Sequence, residues 1–200
     1  DRMGADFYGC IEQMKTKLHV TPAICAIPVG QSGEFKGIID LIDYKFVLKD
    51  DTDKTNRKYS LIDIPASHKD EAAMYREQLL ETAALASDEV AELVLEGKEV
   101  SKDLLLKALR VGTLAGKFSP IYCGSSKNFH GVQILLDAVV NFLPSPIDRP
   151  PVDGFDPKKK EKATRRPATD EPFSGLAFKR RAISCMSAFT RAFCVRATPC

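Results

Sequence analysis

The stretch SPIYCGSSKNFHGVQILLDAVVNFLPSP, residues 119–146, decides how the chain is read. A short apolar run through Ile121 and Tyr122 leads into a polar loop at residues 123–131. That loop opens directly into the strongest amphipathic pattern in the sequence. Val132, Leu135, Leu136, Val139, Val140 and Leu143 recur at helical spacing, and Pro144 and Pro146 stop the pattern. Strand, polar loop and helix in that order form one step of an α/β sheet. Ligands of open α/β sheets sit at the carboxyl ends of the strands. The loop is therefore either a helix cap or one wall of a binding site, and its own residues leave both readings open.

Working towards the N-terminus, residues 6–18 predict a helix with Asp6 as its cap, on the spacing of Phe7, Ile11, Met14 and Leu18. TPAICAIPVG, residues 21–30, predicts one strand. Ile42, Tyr44, Phe46 and Leu48 alternate with Asp43, Lys45 and Lys49, which predicts a half-buried strand with one wet face. A polar turn at residues 50–56 and a return strand in RKYSLIDI complete an antiparallel hairpin. Three helices follow. Ser67 with Asp70 resembles a capping box for the first, whose face is Ala72, Tyr75, Leu79, Ala83 and Ala86. Ser87 caps the second, which Gly97 ends. Ser101 caps the third, with Leu105, Leu109, Gly112 and Ala115 on one stripe.

The chain has 200 residues, 44% hydrophobic and 28% charged, as in ordinary globular proteins, and a net charge of +2 points to no polyanion partner. No apolar run is long enough to cross a membrane, and no signal peptide is visible at the start. The first residue is not Met, so a fragment is expected. Cys10, Cys25, Cys123, Cys185, Cys194 and Cys200 show no CxxC spacing, and there are only three histidines, which argues against a zinc site. The first three cysteines sit in apolar or helical patterns and read as reduced, buried thiols, and a cytosolic compartment is expected.

Residues 144–172 are rich in proline and carry the basic run KKKEK, which predicts a linker. The basic run reads as a solvated loop, with RNA phosphate as the sharper alternative. EPFSGLAFK then reads as the first strand of a new domain. RRAISCMSAFTRAFCVRATPC, residues 180–200, holds four arginines, no acid and half the cysteines. It is read as a frameshift artefact. A segment needing the rest of its domain, or arginine-rich RNA binding, are the other readings.

Taken in order, DRMGADF, LIDIP, QLLETAALASDEVAELVLEG, CGSSKNFHGVQILLDAVVNFLPSP and DEPFSGLAFK resemble the bacterial-type elongation factor G family of translational GTPases. The resemblance runs from Asp1 to Lys179. It implies an α/β fold: the C-terminal part of a P-loop GTPase G domain with an inserted α+β subdomain, then the start of a β-barrel domain. The layout it implies is residues 1–20 for the helix after the guanine-specificity motif and 21–117 for the insert. Residues 118–147 are the last strand, guanine loop and helix, 148–170 a linker, and 171–200 the start of the barrel.

The resemblance also implies the chemistry. Asp1 matches the last position of the family's Asn-Lys-Met-Asp motif, where two carboxylate oxygens accept from guanine N1–H and N2–H₂. Gly124, Ser125 and Ser126 match the Gly-Ser-Ala loop whose backbone N–H groups meet guanine O6, with Ser125 and Ser126 as the donors. The order of Lys127, Asn128, Phe129 and His130 departs from the family pattern, so Lys127 either packs over the base or is solvated. His130 reads as a helix-start residue. No phosphate loop, switch segment or catalytic residue is found, so Mg2+ ligands and catalysis are expected outside this stretch. The parent is expected to bind and hydrolyse GTP and to drive tRNA–mRNA movement on the ribosome. Stalk proteins of the large subunit and ribosomal RNA are its implied partners, and it is expected to be a cytoplasmic monomer with no membrane contact. A release-factor or ribosomal-protection GTPase, and a non-catalytic α/β binding module, are the alternatives.

Overall fold

A computed structural model describes residues 1–49, 58–156 and 161–171, with two short backbone segments at Ser174–Gly175 and Phe193–Cys194. The chain divides into two units, Asp1–Leu143 and Pro144–Cys200. The first carries α1 (Phe7–Leu18), β1 (Pro22–Ile24), β2 (Ala26–Val29), β3 (Gly37–Asp40), β4 (Lys45–Lys49) and β5 (Tyr59–Ile62). It continues with α2 (Lys69–Ala84), α3 (Asp88–Leu95), α4 (Lys102–Leu114), β6 (Ser119–Ile121) and α5 (Val132–Phe142).

β1 pairs in parallel with β6, Pro22 opposite Ser119. β2, β3, β4 and β5 form a four-stranded antiparallel sheet in chain order. The strand expected at residues 21–30 is thus two strands in two sheets, and Cys25 is the hand-over. Its N–H donates to Ile121 O at 2.9 Å, while its carbonyl accepts from Leu41 N at 2.9 Å. Burial pushes the Cys25 thiol up to about 12, so it stays a packed, protonated group, whereas Cys10, expected to be buried, is exposed on α1.

The expected half-buried strand at residues 42–49 also differs. The Asp40 carboxylate accepts from Ile42 N at 2.7 Å, and the chain turns at residues 41–44. Tyr44 has φ 53°, in the left-handed region. Beyond the turn, Phe46 and Val47 are both buried, because the sheet is covered on both faces. Ile27, Ile39 and Phe46 join the core with Leu79, Leu105 and Leu109 of the helices. Ala26, Ile38 and Val47 meet Ile134 of α5 on the other side. A strand covered on both faces has no wet side to alternate with. The hairpin itself is as expected, with Val47 opposite Leu61, while the turn expected at 50–56 lies outside the described residues.

The helix caps follow local chemistry. Asp6 accepts from Gly9 N, Ser87 from Val90 N and Ser101 from Leu104 N. The capping box at Ser67 and Asp70 does not form. A single 3₁₀ turn at Ala66–His68 leads into α2, and His68 N donates to Pro65 O instead. On α4 the buried stripe is Leu105, Ala108, Leu109 and Gly112, and Ala115 falls at the exposed C-cap.

α5 forms where the apolar spacing predicts a helix, but a different stripe faces inward. Ile134, Ala138 and Phe142 point into the core, and Leu135, Leu136, Val139, Val140 and Leu143 are exposed. The inward positions are set by the sheet behind Ile134 and by α4, where Arg110 donates to Asn141 O at 2.8 Å. No helix among the described residues is long and apolar enough to cross a membrane.

In the second unit, the stretch read as a linker holds an antiparallel hairpin, β7 (Val152–Asp156) with β8 (Glu161–Arg165). Thr164 Oγ1 donates to Asp153 Oδ1 across it at 2.7 Å. The backbone at Ser174–Gly175 pairs in parallel with Phe193–Cys194. The other residues from 176 onward, with the frameshift expectation for them, lie outside the described residues.

Candidate functional site

The loop at residues 123–131 is closed on itself by paired backbone hydrogen bonds. Ser125 N donates to His130 O and His130 N to Ser125 O, both at 3.0 Å. Phe129 takes φ 59° and Gly131 φ 76° to make the turn. A Cβ at Gly131 would lie 2.8 Å from Ile38 Cδ1, so the loop is seated directly on the four-stranded sheet. Phe35, before β3, meets the His130 ring edge-on at 5.6 Å. Cys123 Sγ lies 3.7 Å from Ala26 O and donates to it, and burial raises the thiol to about 12.

Asp1 comes to this loop across 124 positions of sequence. Ser125 Oγ donates to Asp1 Oδ2 at 2.7 Å, and Asn128 Nδ2 donates to the same oxygen at 3.1 Å. Ser125 Oγ in turn accepts from Asn128 N at 3.2 Å. Ser125 is 2% exposed, whereas Asp1 and Asn128 are open to solvent.

The expected site residues therefore separate. Asp1, Gly124, Ser125 and Ser126 come together. The backbone donor expected at Ser125 is already given to His130, so Ser125 serves through its hydroxyl. Ser126 N–H makes no hydrogen bond within the described residues. Lys127 is exposed and makes no ion pair among the described residues. Asn128 was missed by sequence reading. Its only signal was the departure from the family order, which pointed to no role.

Two cavities flank Gly124. One of about 380 Å³ lies between Asp1, Phe7, Gln31 and Phe35, and one of about 190 Å³ lies between Ser126, His130 and Leu135. A third, of about 270 Å³, lies between Asp40, Asp43, Tyr59, Lys102 and Asp137 and shares Tyr122 with the other two. There Lys102 pairs with Asp43. Burial raises the Asp40 carboxyl to about 6 despite its backbone donors. No group of three His, Cys, Asp or Glu residues among the described residues could hold a metal ion.

No family model matches the chain. It is 45% identical over 180 residues to elongation factor G of Wolbachia pipientis subsp. Culex pipiens (strain wPip), covering 90% of this chain and 26% of that protein. Elongation factor G 2 of Syntrophus aciditrophicus (strain SB) gives the same identity and coverage. A crystal structure of a Thermus thermophilus protein superposes with a TM-score of 0.61 at 22% identity, covering 80% of this chain and 25% of that one. That likeness shows the fold, a mixed α/β segment. Along nine tenths of its length the chain is similar to elongation factor G, and it spans about a quarter of the length of those relatives.

Proposed function

We propose that this chain is a segment of a translational GTPase that binds and hydrolyses GTP to move tRNA and mRNA on the ribosome. Within that activity its own part is to read the guanine base. The observation that carries this reading is the meeting of Asp1 with the strand-end loop, 2.7 Å from Ser125 Oγ, although 124 positions separate them. Asp1 Oδ1 accepts no hydrogen bond within the described residues, so it is open to one of the guanine N1–H and N2–H₂ pair, the other meeting Oδ2 beside its donors Ser125 Oγ and Asn128 Nδ2. Ser126 N–H is free to meet guanine O6. Adenine presents an acceptor at N1 and a donor at C6, which reverses this pattern and leaves the carboxylate unpaired.

The layout proposed is the one the resemblance implies: base-reading elements before and after an inserted subdomain, then the start of a barrel domain. β1, the first strand of the stretch assigned to the insert, pairs with β6 beyond it, so the run between these two strands leaves and returns at neighbouring strands. Phosphate binding, Mg2+ and catalysis belong to residues outside this chain. Bound there, Mg2+ would neutralise phosphate charge. Ribosomal RNA, stalk proteins of the large subunit and the tRNA–mRNA complex are the proposed partners of a cytoplasmic monomer. No observation favours a release-factor, ribosomal-protection or binding-module reading.

Asp1→Asn in the complete gene product tests the proposal. Asparagine replaces one acceptor oxygen by an amide donor, which suits the 2-oxo group of xanthine. The expected result is a loss of guanine nucleotide affinity of about 100-fold or more with a gain for xanthine nucleotides, read by fluorescent nucleotide titration. Unchanged preference for guanine would sink the proposal.

A further inference from the structure

We propose that Asn128 is a positioning residue that sets base selectivity by fixing the Asp1 carboxylate. The inference rests on the reading of Asp1 as the guanine acceptor. Its basis is a closed ring of hydrogen bonds. The Asn128 backbone N–H donates to Ser125 Oγ at 3.2 Å, Ser125 Oγ donates to Asp1 Oδ2 at 2.7 Å, and the Asn128 side-chain amide donates to that same Oδ2 at 3.1 Å.

The ring has a defined polarity. Ser125 Oγ already accepts from Asn128 N, so its single proton is directed at Asp1. Asn128 adds a second donor to the same oxygen from a different direction. One donor fixes the position of a carboxylate oxygen, and two fix the rotation of the carboxylate about its own bond. That rotation decides whether a base edge meets both oxygens in one plane or only one of them. The loop holding both donors is itself locked by the Ser125–His130 backbone pair and seated on Ile38 through Gly131. Asn128 is thus placed to orient Asp1 without touching the base.

The test uses the complete gene product with Asn128→Ala and Asn128→Asp. Affinities for guanosine and inosine diphosphates are measured at equilibrium, since inosine lacks the 2-amino group. Asn128→Ala is expected to lower the guanosine-over-inosine ratio about three- to tenfold, as expected for losing one hydrogen bond to a charged acceptor. Asn128→Asp keeps the size and the backbone donor but sets a second carboxylate against Asp1, so it is expected to fall below Asn128→Ala. A residue needed only for the turn gives the opposite order, because Asp suits turn positions better than Ala. Ratios within twofold of the parent for both variants, or Asp outperforming Ala, would overturn the inference. Melting temperatures measured alongside show whether each variant is folded. Asp1→Asn separates the two claims. If it shifts preference to xanthine and the Asn128 variants do not move the ratio, only this inference fails. If Asp1→Asn shifts nothing, the site reading fails and this inference with it.

Discussion

Asp40 keeps its carboxyl inside the protein at 5% exposure, where burial outweighs its hydrogen bonds from Ile42 N and Asp43 N. Its value of about 6 lies above the ordinary 3.8, so the folded state holds the proton more tightly than the unfolded state. The stabilisation this gives is complete below pH ~4 and is lost as pH rises through about 6. Above that pH the buried charge remains, offset in part by Lys102 beside Asp43. Asp40→Asn retains an oxygen for both backbone donors and removes the charge. It is expected to raise stability at pH 7.5 by about 1–3 kcal/mol and to leave it nearly unchanged at pH 4, read by urea denaturation. Stability that is equal to the parent at both pH values would contradict this. Nothing in the sequence marks Asp40. Its burial depends on the sheet being covered from both sides. Asp6, Ser87 and Ser101 were legible because each acts within three residues of itself. Asn128 was not, since its partner Asp1 lies at the other end of the first unit.

Gly112 in α4 shows how packing reverses a helix rule. Glycine inside a helix costs about 1 kcal/mol relative to alanine, so Gly112→Ala should stabilise on propensity alone. Here a Cβ would lie 2.1 Å from Phe118 Cζ and 2.9 Å from Ala86 Cβ, and Phe118 is buried. Gly112→Ala is therefore expected to destabilise the fold by about 1–3 kcal/mol, seen as a lowered melting temperature. A raised melting temperature would show that Phe118 can move aside at little cost. Most elements were legible at this scale, because helical spacing and capping residues are local signals. The failures share one cause. The strand at residues 21–30 changes sheet at Cys25, and the run at 42–49 is interrupted by the Asp40 turn. Both events are set by distant partners, Ile121 and Leu41 for Cys25 among them.

Across the whole molecule, α5 is apolar on two sides. One side is closed by the sheet, and the other exposes Leu136 at 60% and Val140 at 77%. A helix apolar on two sides is ordinarily buried on both. The isolated chain is expected to bind an apolar-surface dye such as ANS. Leu136→Gln with Val140→Gln should reduce that binding severalfold while shifting stability by no more than about 0.5 kcal/mol. Dye binding unchanged by the pair would place the apolar surface elsewhere. The amphipathic pattern announced the helix but not which stripe faces inward, because Val132, Leu135 and Leu136 compete with Ile134, Ala138 and Phe142. The site was half legible. Its loop stood out as a polar break between strand and helix, but only family resemblance joined it to Asp1.

The parallel pairing of β1 with β6 has a consequence for how the molecule is made. Ala26 and Cys123, joined behind the loop at residues 123–131, are 97 positions apart. At a synthesis rate of about 5–20 residues per second, β1 waits on the order of 5–20 s for the strand that covers its edge. Through that interval the nascent chain carries the carboxylate of Asp1 without its clamp. Termination between Phe118 and Asn128 would release a polypeptide with most of its buried residues but without the Asn128 amide that donates to the Asp1 carboxylate.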